Sequence, residues 1–261
     1  MLFRSHPSAP TVNIARGQGP ETQLEGFTFR GGYGGVTILA SSPRIAGNVF
    51  SRTGFGVVVN SGSPTIVSNV IAGIGEIGGA RAGGDGILIG GEGSSLVEFN
   101  RIEANHLGIA VLAPGRHTFR NNLIQSNLVD GINLANLGAA EIVQNVIARN
   151  GGSGIKAHMP AIGAGSMIAQ NTIAQNAGDG CELSGFAAGT VIRNNVFFED
   201  GIRFDLGFDP TPPVIQTNDV HVTSGPPYLG WLSDFTGTYG NVSMDPRFLD
   251  PDGRSEEHTS E

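Results

Sequence analysis

A chain of 261 residues allows one or two ordinary domains or a single solenoid, whose core is not limited by size. Its 41 glycines are roughly twice the usual number and are spread through apolar segments, the habit of short strands joined by many turns. A formal charge of −8, a pI near 5.2 and a single cysteine, Cys181, count against a nucleic-acid partner, a disulfide framework and a thiolate metal cluster.

At the N-terminus, Met1 to Pro10 lacks the apolar middle of a secretory leader, and no apolar run anywhere nears the roughly 18 residues of a membrane span. The two ends mirror each other as nucleic acid. Arg254 to His258, written as AGA TCG GAA GAG CAC, has the reverse complement GTG CTC TTC CGA TCT, which with GTG as a start codon spells Met1 to Ser5. Residues 1–5 and 254–261 are therefore expected to be sequencing-adapter read-through. The natural insert is then residues 6–253, cut at both ends, with a terminal coil over 218–253.

Along the insert one pattern recurs. An Asn followed two residues later by an apolar residue stands at Asn48, Asn69, Asn100, Asn122, Asn145, Asn171 and Asn195, at intervals of 21, 31, 22, 23, 26 and 24. A second Asn follows five residues on at Asn105, Asn127, Asn150 and Asn176. Next comes Gly plus an apolar residue, from Gly56-Val57 through Gly86-Ile87, Gly108-Ile109, Gly131-Ile132 and Gly154-Ile155 to Gly180-Cys181. The 31-residue interval is a normal coil with an extra loop within Gly73 to Gly84; the 26-residue interval holds a small insertion near Met159 to Gly165.

The alternation after each Gly predicts strands, with one internal stack of Val57, Ile87, Ile109, Ile132, Ile155 and Cys181 and another two residues on, from Val59 and Ile89 to Leu183. Cys181 is thus expected to be a buried hydrophobe. A second strand ends near each Asn, whose side chain tolerates the left-handed conformation of a sharp bend and, repeated at about 4.8 Å, forms an amide ladder. The expected fold is all-β: a right-handed, single-stranded parallel β-helix with coils of about 21–26 residues. A helical reading fails on the period of two and the frequent glycines, and a leucine-rich repeat on the lack of leucines at fixed offsets.

These residues resemble the right-handed β-helix repeat superfamily, which shares its fold with pectate lyases and polygalacturonases. Glu21 to Gly32, Ser41 to Phe50 and Ser63 to Ile71 look like its repeat-rich extracellular bacterial members, and Asn218 to Val220 with Gly240 to Pro251 are similar to their terminal coil. The resemblance implies further coils before Thr11, a cap after Gly253 and an extracellular, cell-surface or periplasmic location. It identifies the fold far more sharply than the function.

The register gives an outward column of Val58, Leu88, Ala110, Asn133, Lys156 and Glu182, with Asn60, Gly90, Leu112, Ala135, His158 and Ser184 beside it. The first column turns polar only in the later coils, where Asp130 and Asp179 precede the Gly at the edge of the same face. Asp130, Lys156, His158, Asp179 and Glu182 are the catalytic candidates, with Asn133 and Ser184 as substrate-binding candidates. Asp130 and Asp179, two coils and so roughly 9–10 Å apart, are at the long end for an inverting pair. Each feature also has an ordinary explanation: Asp before Gly is a turn residue, and Lys beside Glu is a cross-strand pair. The paired aspartates of polygalacturonases, the calcium and arginine set of pectate lyases and the signatures of mannuronan epimerases are absent.

No cofactor and no metal site is expected, although Asp245, Asp250 and Asp252 offer oxygens that suit calcium. Trp231 with Tyr228, Phe235 and Tyr239 reads as packing over the helix end or as a sugar platform. The leading functional expectation is a non-catalytic secreted or surface protein that binds polysaccharide along its exposed sheet or serves as a spacer. The alternative is a polysaccharide lyase or glycoside hydrolase acting around Lys156.

Overall fold

The computed structural model describes residues 2–3, 10–77, 80–81, 83–135, 139–159, 165–185, 189–206 and 211–248. Three long parallel sheets of 10, 10 and 9 strands run the length of the molecule, each receiving one short strand from every coil. The first sheet holds the Gly-apolar strands, among them Ile87–Ile89, Ile109–Val111, Ile132–Leu134, Ile155–Met159, Cys181–Gly185, Ile202–Leu206 and Tyr228–Gly230. The second holds the strand before each Asn, such as Ala139–Val143, and the third the strand after it, such as Val146–Ala148. The only antiparallel pair among the described residues, Glu76–Ile77 with Ala80–Arg81, is the hairpin inside the long 31-residue interval. The insertion near 160–164 falls outside the described residues. Leu2–Phe3, within the stretch expected to be adapter-derived, pairs with Thr28–Phe29.

In-register stacking gives the core its composition. The two expected inward stacks of the first sheet are continuous and buried, extended backward to Val36 and Ile38 and forward to Ile202 and Phe204. Cys181 is fully buried within its stack, and burial pushes its thiol far up. The second sheet contributes Ile45, Ile66, Val97, Phe119, Ile142, Ile168, Ile192 and Ile215; the third runs from Phe29 and Phe50, stacked 4.8 Å apart, to Val220. The Gly that opens each first-sheet strand sits where chains crowd together. At Gly131 a Cβ would lie 2.7 Å from both Gly154 O and Ile147 Cγ2.

The asparagines form a ladder, but they do not occupy the left-handed turn position expected of them. That position belongs to the preceding residue, including Ser68, Phe99, Asn121, Gln144, Gln170, Asn194 and Thr217 at φ 55–58. The displacement frees each Asn to point inward. Asn145 shows the pattern: its N–H and Nδ2 both donate to Asn171 Oδ1 at 2.9 and 3.0 Å, while its own Oδ1 accepts the N–H and Nδ2 of Asn122, each at 3.0 Å. Nδ2 also reaches Phe119 O and Val143 O. The ladder runs from Asn48 through Asn218 to Asn241, two rungs beyond the seven in the sequence pattern. A second ladder links Asn105, Asn127, Asn150 and Asn176 and ends on Asp200, whose two oxygens accept from Asn176 N–H and Nδ2 at 2.9 and 2.7 Å.

Asn145→Ala would orphan the buried N–H of Asn122 and remove one of the two acceptors of its Nδ2, and is expected to cost about 2–4 kcal/mol, checked by urea unfolding. Burial pushes the Asp200 carboxyl up to about 7, outweighing the donors from Asn176. Between about pH 4 and pH 7 the folded chain therefore keeps a proton that the unfolded chain has released, so this group's contribution is full below that window and falls as pH rises through it. Asp200→Asn, which restores the amide rung, should be more stable than the parent by about 2–4 kcal/mol at pH 8. The gap in thermal or chemical melts should narrow toward pH 4.

Candidate functional site

The first sheet positions the candidate residues, because alternate residues of strands locked in register must project outward. Its register aligns Asn133, Lys156, Glu182, Arg203 and Leu229 in one outward column and His158, Ser184 and Asp205 in the next. Earlier rungs of the first column are Thr37, Val58, Leu88 and Ala110. These two outward columns therefore change from uncharged to charged part-way along the solenoid, although Thr37 and Asn60 already bring polar groups to the early rungs.

All seven sequence-derived candidates lie on or at the edge of this face, bound into pairs and short relays. Asp130 is buried; its Oδ1 accepts the Ser153 N–H at 2.9 Å and its Oδ2 accepts the Asn133 amide at 2.7 Å. Ser153 passes the connection to the next coil, donating from Oγ to Glu182 Oε2 at 2.8 Å. Glu182 grips Lys156 with both oxygens, at 2.8 and 3.0 Å. Asp179 holds Arg203 Nε at 2.5 Å, and Arg203 Nη1 lies 3.9 Å from Asp205. His158 Nδ1 and Ser184 Oγ are 3.0 Å apart.

Electrostatics follow from this pairing. The hydrogen bond it donates to Glu182 raises the Lys156 ammonium above its ordinary value. Burial works to raise Glu182, but the hydrogen bonds from Lys156 and Ser153 outweigh it and hold the carboxyl below its usual range. Lys156 is thus held protonated and Glu182 ionised. Arg203 is raised chiefly by its bond to Asp179.

A family model described as "Right handed beta helix region" matches residues 34–197, more than half of the chain. The chain belongs to this right-handed β-helix family. Among solved structures the β-helix is similar to the Dettilon tailspike protein (gp208), at 15% identity and a TM-score of 0.55, covering 93% of this chain and 58% of the tailspike. It is also similar to the A-module of the Azotobacter vinelandii mannuronan C-5 epimerase AlgE6, at 14% identity and a TM-score of 0.56, covering 94% of this chain and 81% of that module. At these identities the likeness is one of fold. No curated protein matches the chain.

Ser153, Arg203 and Asp205 belong to the charged face of the β-helix but are absent from the sequence-derived set. A signal for each was present: Ser153 precedes Gly154 as Asp130 precedes Gly131, and Gly201-Ile202-Arg203 repeats the form of Gly154-Ile155-Lys156. The aromatic stretch divides between its two readings. Tyr228 is 5% exposed and meets Phe235 edge-on at 5.5 Å over the core, as packing requires, whereas Trp231 and Tyr239 are 70% and 73% exposed.

Of the calcium candidates, Asp245 accepts the Arg247 N–H, while Asp250 and Asp252 lie outside the described residues. Among the described residues no His, Cys, Asp and Glu side chains are grouped to hold a metal, and no helix is long and apolar enough to cross a membrane. Lys156→Met should raise the Glu182 titration midpoint, read from its carboxyl carbon by NMR. An unmoved midpoint would show that the pair contributes nothing in solution.

Proposed function

We propose that this β-helix is a secreted or cell-surface protein that binds polysaccharide along the charged half of its first sheet, without transforming it. The observation that carries the reading is the set of polar relays from Asn133 and Asp130 to Arg203 and Asp205, laid over consecutive rungs of a face whose earlier rungs in the same columns are uncharged. Ionised carboxylates, amides and hydroxyls fixed at about 4.8 Å intervals suit the repeating hydroxyls of a sugar chain lying along the solenoid axis. Two solved structures that share this fold, one a tailspike and one a mannuronan epimerase, support a polysaccharide partner.

The protonation states favour binding over chemistry. Lys156, held protonated, is poorly suited to abstract a proton, and Glu182, held ionised, is poorly suited to act as a general acid. A second reading, lyase or hydrolase chemistry at Asp130, Lys156, His158, Asp179 and Glu182, draws on their convergence on one face.

Calorimetry against a broad glycan panel at millimolar ligand should find a binding partner that is recovered intact. Asn133→Ala and Ser184→Ala should each weaken it about fivefold. No binding to any glycan would contradict the reading. Depolymerisation that vanishes in Lys156→Ala would replace it with the second.

A further inference from the structure

Trp231 stands where the second outward column ends. Its N–H donates to Phe204 O at 2.8 Å, the bond that closes the Phe204–Gly230 pair at the end of the Tyr228–Gly230 strand. Trp231 therefore lies one residue past the strand that pairs with the coil of Asp205, in which Asp205 follows Ser184 and Ser184 follows His158 in register.

Leaving an indole 70% exposed forgoes the stabilisation that the neighbouring Tyr228 gains by burial. The turn just before the indole is tightly packed. Gly230 turns at φ +72, and a Cβ there would strike Phe204 O and lie 2.7 Å from Asp205 Oδ1. The Asp205 carboxylate, half-exposed, therefore lies directly against the backbone one residue from the indole.

An exposed indole face with an acceptor-only carboxylate beside it matches one kind of surface well: a pyranose ring, whose C–H face stacks on the indole while its rim hydroxyls donate to the carboxylate. We propose that Trp231 and Asp205 form the end subsite of the glycan track, and that the track takes a neutral, hydroxyl-rich glycan. This deepens the proposed binding function and rests on it. Neutrality follows from charge. Lys156 and Arg203 are already engaged by Glu182 and Asp179, Asp205 stands at the subsite itself, and the chain carries a formal −8, so a polyuronate would meet like charge.

Trp231 is the only tryptophan of the chain, so its fluorescence reports on the subsite directly. The full chain would be titrated with neutral hexasaccharides (β-1,4-glucan, mannan and xylan, and α-glucan) and with oligouronates of equal length, alongside calorimetry. A saturable emission change with a neutral hexasaccharide and weaker binding of the oligouronates are expected. Trp231→Ala should lose about tenfold in affinity, Trp231→Phe should fall between the two, and both should melt like the parent because the side chain is exposed. Asp205→Asn should weaken binding without abolishing the emission change. If Trp231→Ala binds the glycan as the parent does while Asn133→Ala and Ser184→Ala bind less, the end subsite is refuted and the sheet reading stands. Preferential binding of oligouronates refutes the neutral class, and a parent that binds no glycan at all removes both proposals.

Discussion

The rest of the structure depends on a self-complementary hydrogen bond between asparagine side chains of successive coils. Asparagine carries a donor and an acceptor on a side chain short enough to remain at the bend, so each rung satisfies the one before and is satisfied by the next. The Oδ1 of one Asn takes both the backbone N–H and the Nδ2 of its predecessor, as Asn100 with Asn122 and Asn171 with Asn195 show. A buried bend would otherwise leave orphaned N–H groups, each of which costs about 1–3 kcal/mol. With those donors satisfied, coils of different length can be stacked without losing register.

The charged face inherits its geometry from that constraint. Extra residues in a coil are diverted into loops or the small hairpin, so strands on either side of an insertion still pair residue for residue. Apolar residues repeat inward because the interior of each rung is the roof of the last, while outward positions are free to vary along the axis. That freedom allows one sheet to carry Val58, Leu88 and Ala110 on its early rungs and Asn133, Lys156, Glu182 and Arg203 on its later ones. Pairing across rungs then holds the charges in place, with Lys156 and Glu182 one coil apart and Asp179 and Arg203 likewise.

Much of this was legible in the sequence because inward positions and ladder asparagines tolerate few residue types. The Gly-apolar stack, the two Asn series and the site of the hairpin insertion could be read directly. The left-handed bend could not be assigned correctly, since the residue that adopts it has no fixed identity: Phe99, Gln144 and Thr217 all do so, held there by the Asn that follows. The charged face was read one coil short. Asn195 is followed by Gly201 after only six residues, so Asp200 takes the place of both the second ladder Asn and the residue before the Gly, and Arg203 and Asp205 fall outside the usual spacing. For Trp231 composition misleads, because its aromatic neighbours Tyr228 and Phe235 do pack inward while Trp231, just past the turn at Gly230, stays 70% exposed.

Amide hydrogen exchange at the bends tests the central claim most directly. If the carboxamide ladder holds the coils together, the backbone N–H groups of Asn100, Asn122, Asn145 and Asn171 should be protected as strongly as the flanking strand amides at Ile102, Ile124, Ile147 and Ile173. Exchange of those asparagine amides at rates typical of solvent-exposed turns, with the strands still protected, would contradict it.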